Sequence, residues 1–187
     1  MTDPTLQPAD RPSPAGALES VFRGILAHRM HDMPMVNAAL SVEAVGFRPW
    51  RDHWLGILVT PWFMNLVLLP RVTAKWLPLA ERESRHHAFP AGVFEFIGAA
   101  DPALGDYQAC SLFSPMFEFA DHAAAHATAV AALDAMFDAA NREAGEPPAP
   151  HRVGAAAEVG PVPVPPATSL DKRAFLFGRQ PRAERGP

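Results

Sequence analysis

Leu18, Val21, Phe22, Ile25, Leu26 and Met30 recur at three- and four-residue intervals, the rhythm of an amphipathic helix. The pattern predicts a helix of about four turns from Ala15, ending before Met33-Pro34 because a residue that precedes proline avoids the helical region. Beyond Asn37 the period shortens to two. LSVEAVGF (40–47) sets Leu40, Val42 and Ala44 on one face and Ser41, Glu43 and Val45 on the other, as a strand requires. RPWRDH then supplies a turn, WLGILVT (54–60) a second strand and MNLVLLP (64–70) a third, with a proline turn between the last two. Such short links predict an antiparallel meander.

Residues 71–90, with Trp76, Pro78, the mixed-charge run ERESRHH and Pro90, read as a loop that holds at most a short helix. GVFEFIG (92–98) and DYQACSLF (106–113) read as a fourth and a fifth strand, separated by the turn composition AADPALG. Ser114-Pro115 opens a long alanine-rich helical segment through Asn141, with Val130, Leu133 and Phe137 at helical spacing and Gly145 as its stop. The expected fold is α+β: an antiparallel sheet of about five strands packed with an N-terminal helix and a long C-terminal one.

The ends carry no such pattern. Residues 1–14 are polar and proline-rich and read as disordered, 15–145 as the folded domain, 146–168 as a Pro/Ala-rich linker and 169–187 as a basic tail, the last two forming a disordered C-terminal extension. The 21 prolines in 187 residues, about twice the usual share, fall heavily in these ends. No N-terminal basic and apolar leader opens the chain, and WLGILVTPWFMNLVLLP carries a proline at its middle. Two strands around a turn explain that run better than a membrane helix, so the expected location is the cytoplasm, without membrane insertion.

Charge divides along the chain. Residues 1–146 hold 17 acidic and 10 basic side chains and residues 147–187 hold 3 and 6, so a body of net −7 carries a tail of net +3. An acidic body is a poor nucleic-acid binder and suits a cationic peptide.

Chemistry is sparse. His122 and His126 lie four apart on the expected helix beside Asp121, a spacing that lets both face one metal ion, but no third ligand can be named. Cys110 is the only cysteine, which excludes an internal disulfide, and nothing basic adjoins it in sequence to make it reactive. Ser111 and Ser114 lack a nucleophile-elbow setting and no Gly-rich phosphate loop is present. No enzyme activity, metal or cofactor is expected.

Large apolar groups beside turns stand out instead. Trp62, Phe63, Met64, Phe94, Phe96, Phe113 and Phe117, rimmed by Glu95, Asp106, Glu118 and Asp121, are partly core. The surplus would form a cleft for a ligand that joins an apolar run to positive charge.

VNAALSVEAVGFRPWRDHWLGILVTPWFMNLVLLP, FPAGVFEFIG and YQACSLFSPMFEFADHAAA together resemble the HybE/HupJ family of [NiFe]-hydrogenase assembly chaperones across about residues 18–140. TPWFMNL and CSLFSPMFEFAD carry the resemblance most specifically. The resemblance implies a cytoplasmic, non-catalytic accessory protein for hydrogenase maturation. Its implied partner is the small, iron-sulfur subunit, as the precursor with its twin-arginine signal peptide, with other hydrogenase accessory proteins as further partners. It also implies protection of maturation under oxygen. A scaffold that shields the folded subunit without touching the signal is the alternative.

The basic tail adds one more expectation. SLDKRAFLF (169–177) is similar to a twin-arginine consensus, with Lys172, Arg173, Phe175 and Leu176 aligned, but it has lysine for the first arginine and no apolar stretch after it. It therefore cannot serve as an export signal and is expected to mimic one in the acidic cleft. The plainer alternative is a solvated tail.

Overall fold

The computed structural model describes residues 11–142; the expectations for 1–10, for Gly145 and for the linker and tail lie outside them. Helix α1 (Ala15–Ile25) buries Leu18 and Phe22 and continues through one wider turn, Leu26–Met30, so the helical path ends short of Met33-Pro34 as its sequence requires. Glu19 ties α1 to the sheet: one carboxylate oxygen accepts the Ala44 N–H at 3.0 Å while the other accepts from Arg23 at 2.8 Å.

Six strands follow: β1 (Glu43–Trp50), β2 (His53–Val59), β3 (Met64–Pro70), β4 (Ser84–Phe89), β5 (Gly92–Asp101) and β6 (Gly105–Phe113). They form one antiparallel sheet in the order β1-β2-β3-β6-β5-β4. β1–β3 and β4–β6 are two meanders joined at the β3–β6 ladder, and residues 71–83 carry the chain to the far edge before it returns. Both faces of the middle strands are covered. Leu55, Ile57, Val59, Leu66 and Leu68 point to one cluster, and Leu58, Val67 and Leu69 to the other. This explains the near-continuous apolar runs of β2 and β3, since strands buried on both sides need no polar alternation.

Helix α2 (His122–Ala135) covers the first face with Ala125, Ala129, Ala132 and Leu133, and α1 covers the second with Leu18 and Phe22. The sheet is strongly curved. Trp50 of β1 stacks on Phe89 of β4 with ring centroids 4.4 Å apart, although a flat six-stranded sheet would hold its edges about 24 Å apart.

Four sequence expectations change. Ser84–Phe89, read as loop, is a sixth strand, because its alternate residues Arg85, His87 and Phe89 face the curved interior and Phe89 finds Trp50 there. β1 starts at Glu43 and runs to Trp50, so the turn to β2 is only Arg51-Asp52. The expected sharing of one face by Leu40 and Val42 fails: the two join opposite clusters ahead of the strand. Within β1, Gly46 and Phe47 together oppose Gly56, a bulge in which Gly46 takes φ +63°. The long helix runs from His122 to Ala135 rather than from Ser114 to Asn141: the Asp121 carboxylate caps its start by accepting the Ala124 N–H at 2.8 Å, and Ala139–Asn141 is a separate 3-10 turn capped by Asp138. Residues 114–121 are irregular, with a cis Ser114-Pro115 bond and with Met116 and Phe119 anchored in the core.

Candidate functional site

Thr60–Phe63 is the turn between β2 and β3, and one residue builds it. The buried Thr60 hydroxyl accepts the Phe63 N–H at 3.0 Å and the Trp62 N–H at 3.3 Å, while the Thr60 N–H donates to the Phe63 carbonyl at 2.8 Å. With its polar groups satisfied inside the turn, the segment packs Trp62 edge-on to Phe63 at 5.6 Å and Phe63 edge-on to Phe22 of α1 at 5.7 Å.

Asn37 clasps two further loops to this turn. Its side-chain amide donates to the Met116 carbonyl at 3.0 Å and to the Phe119 carbonyl at 2.8 Å, and its backbone N–H donates to the Pro61 carbonyl at 2.8 Å. The Ser114 hydroxyl donates to the Trp62 carbonyl at 3.4 Å. Residues 33–37, 60–63 and 114–119 therefore meet at one end of the sheet. The two most distinctive sequence stretches, TPWF and SPMFEF, face each other there.

The end so built is apolar where it meets solvent. Phe117 is 59% exposed, Met33 46% and Met35 42%. Asp32, Glu118 and Asp121 are exposed on the same loops. Thioether and aromatic surface edged by carboxylates is suited to an adaptable apolar contact with flanking positive charge.

The sequence candidates separate into groups. Met64, Phe113 and Trp62 are buried and support the surface from below, whereas Phe96 is buried beside His87 and Phe89 of β4; Phe63 and Phe94 are half-buried. Phe117, Glu118 and Asp121 are exposed on the loop end, with the Asp121 carboxylate engaged as the cap of α2. Glu95 is exposed on the face of β5 opposite Phe94 and Phe96, and Asp106 lies at the start of β6, a strand's length from Phe113. The residues are thus not gathered in one cleft. Lys172, Arg173, Phe175 and Leu176 lie outside the described residues. Asn37, Thr60, Met33 and Met35 were not singled out by sequence, because an asparagine or threonine near a proline gives no sign of its distant partner.

His122 and His126 do share one face of α2, but their common partner is a carboxylate. Glu43 lies 2.9 Å from His122 Nε2 and 3.0 Å from His126 Nδ1. The Ser41 N–H donates to His122 Nδ1 at 3.3 Å, so the neutral ring carries its proton on Nε2 and donates it to Glu43. The trio fastens α2 to the start of β1. Among the described residues no group of three or more His, Cys, Asp or Glu is arranged to hold a metal ion. Cys110 is half-buried against the core.

A second polar group sits inside the curve of the sheet, among side chains of β1, β2 and β4. His87 Nε2 lies 2.8 Å from Gln108 Oε1, and the rings of Trp50, His53, Trp76 and His87 pack edge to edge. Burial pushes both His53 and His87 below the usual imidazole range. Among the described residues no helix is long and apolar enough to cross a membrane.

The family pattern described as "[NiFe]-hydrogenase assembly, chaperone, HybE" matches residues 13–178. The chain is 44% identical over 178 residues to Protein HoxT of Cupriavidus necator, covering 87% of each chain. It is 41% identical to the hydrogenase expression/formation protein HupJ of Bradyrhizobium diazoefficiens over 86% of this chain and 85% of that one. The solution structure of HybE from Escherichia coli shares the fold, with a TM-score of 0.53 at 22% identity over 81% of this chain and 92% of that one. The sheet, its two helices and the converging TPWF and SPMFEF loops thus belong to a member of the HybE family of [NiFe]-hydrogenase assembly chaperones.

Proposed function

We propose that this chain is a non-catalytic accessory chaperone that holds the small, iron-sulfur subunit of a [NiFe]-hydrogenase in the cytoplasm until its assembly is complete. The precursor with its twin-arginine signal peptide is the form it binds, and occupancy shields that form under oxygen. The observation that carries this reading is the loop end, where Met33, Met35 and Phe117 are exposed above a buried aromatic floor. A contact of this kind needs apolar area and loose shape rather than nucleophiles or metal ligands. The acidic groups around it favour a partner whose apolar stretch follows arginines. Family membership supports a hydrogenase partner.

The test is a fluorescence-anisotropy titration of the full chain with a labelled twin-arginine signal peptide, run beside capture of the small subunit with and without its signal. Salt-sensitive peptide binding, together with preferred capture of the precursor, is the expected result. Capture of both subunit forms alike, with no peptide binding, would replace the signal-peptide contact by a scaffold that holds the folded subunit alone.

A further inference from the structure

Half of one sheet face has no cover. α1 spreads over β1, β2 and β3, but on the same face of β5 and β4 the side chains of Val93, Glu95, Ile97, Ser84, His86 and Ala88 are exposed, with Val93 40% and Ile97 49% accessible. β4 is also a sheet edge. Its turn to β5 is the two residues Pro90-Ala91, so Phe89 and Gly92 form the hydrogen-bonded pair, and alternation turns the N–H and C=O groups of Ser84, His86 and Ala88 away from β5. An open edge beside an apolar face is a place where proteins normally put a blocking device.

The chain leaves the described region at this place. The Arg142 guanidinium donates to the Pro90 carbonyl at 3.2 Å, so the rest of the sequence departs from the β4–β5 turn. The length of chain between Arg142 and Lys172 allows a reach of roughly 30 Å, more than the roughly 20 Å length of a six-residue strand. The family pattern runs on through residue 178, so the segment KRAFLF (172–177) lies within its matched span. Its two basic residues precede four residues of which three are large and apolar. Glu95 stands between Val93 and Ile97 on the open face and offers the matching carboxylate.

We propose that residues 172–177 of this same chain pair with the outward backbone groups of β4 as a further edge strand, whose alternation sets Arg173, Phe175 and Phe177 on the open face beside His86 and Ala88. This contact is independent of which hydrogenase component the loop end holds.

Backbone hydrogen exchange on the full chain tests it, comparing the native sequence with Phe175→Asp/Leu176→Asp. The expected result is that the amides of Ser84, His86 and Ala88 exchange at least ~10-fold faster in the variant, while those of Leu66 and Leu68 in β3 keep their native rates. Equal exchange of the three β4 amides in both proteins would overturn the proposal, whether they are fast or slow. Exchange that rises equally at Leu66 and Leu68 would mark a global loss of structure in place of a released edge and would overturn the proposal as well.

Discussion

Asn37 satisfies two loop carbonyls and a turn with one side chain and one backbone N–H. Asn37→Ala removes two donors at once and leaves the Met116 and Phe119 carbonyls without them, so unfolding in urea should show a loss of about 1–3 kcal/mol. An unchanged midpoint would mean that water replaces the clasp without cost. Gly56 offers a second test. A methyl group there would lie 2.4–2.7 Å from ring carbons of Phe47, and the ring is held in place by the bulge at Gly46. Gly56→Ala should therefore cost about 1–3 kcal/mol in the same assay. At this scale the sequence was readable where an interaction is local and opaque where it is distant. Thr60 closes its own turn, and the proline turn was expected. The partners of Asn37 lie about eighty positions away, and nothing in MPMVNAAL announces them.

The elements were legible where burial imposes a period. α1, β2 and β3 follow from their apolar rhythm, and β5 and β6 needed only longer ends. β4 escaped because an edge strand with charged and imidazole side chains looks like a loop until its contact with β1 across the curved sheet is known. The start of α2 escaped because alanine-rich sequence hides the point at which an aspartate cap takes over. The ring cluster inside the curved sheet carries a pH prediction. Desolvation is the main cause that lowers both His53 and His87 below their ordinary value of 6.5, with the positive charges of Arg51 and Arg85 adding to it. The unfolded chain therefore binds protons more readily below that value. Their contribution to stability is full above about pH 6.5 and is lost as the pH falls toward the lowered folded values. Urea midpoints should fall between pH 7 and pH 5.5, and more shallowly in His53→Phe. The same slope in that variant would assign the acid sensitivity to other groups.

At the scale of the whole molecule, the curved sheet and its two helices present three loops at one end and an open half-face on the side of β4 and β5. The general fold and the family were legible in the chain because long apolar stretches are distinctive. The location of the surface was only partly so, since the residues chosen for their aromatic character include the floor as well as the exposed rim. Phe117 belongs to the rim and Met64 to the floor, a distinction that requires the packing. The proposed function requires the loop end to hold the hydrogenase small-subunit precursor. The most direct measurement is the affinity of the full chain for that precursor in the native protein and in Phe117→Asp, with urea unfolding of both as a control. Unchanged stability and at least ~10-fold weaker binding, about 1.4 kcal/mol, are expected for a central apolar contact. Equal affinity in the two proteins would contradict this requirement and move the partner surface away from the loops.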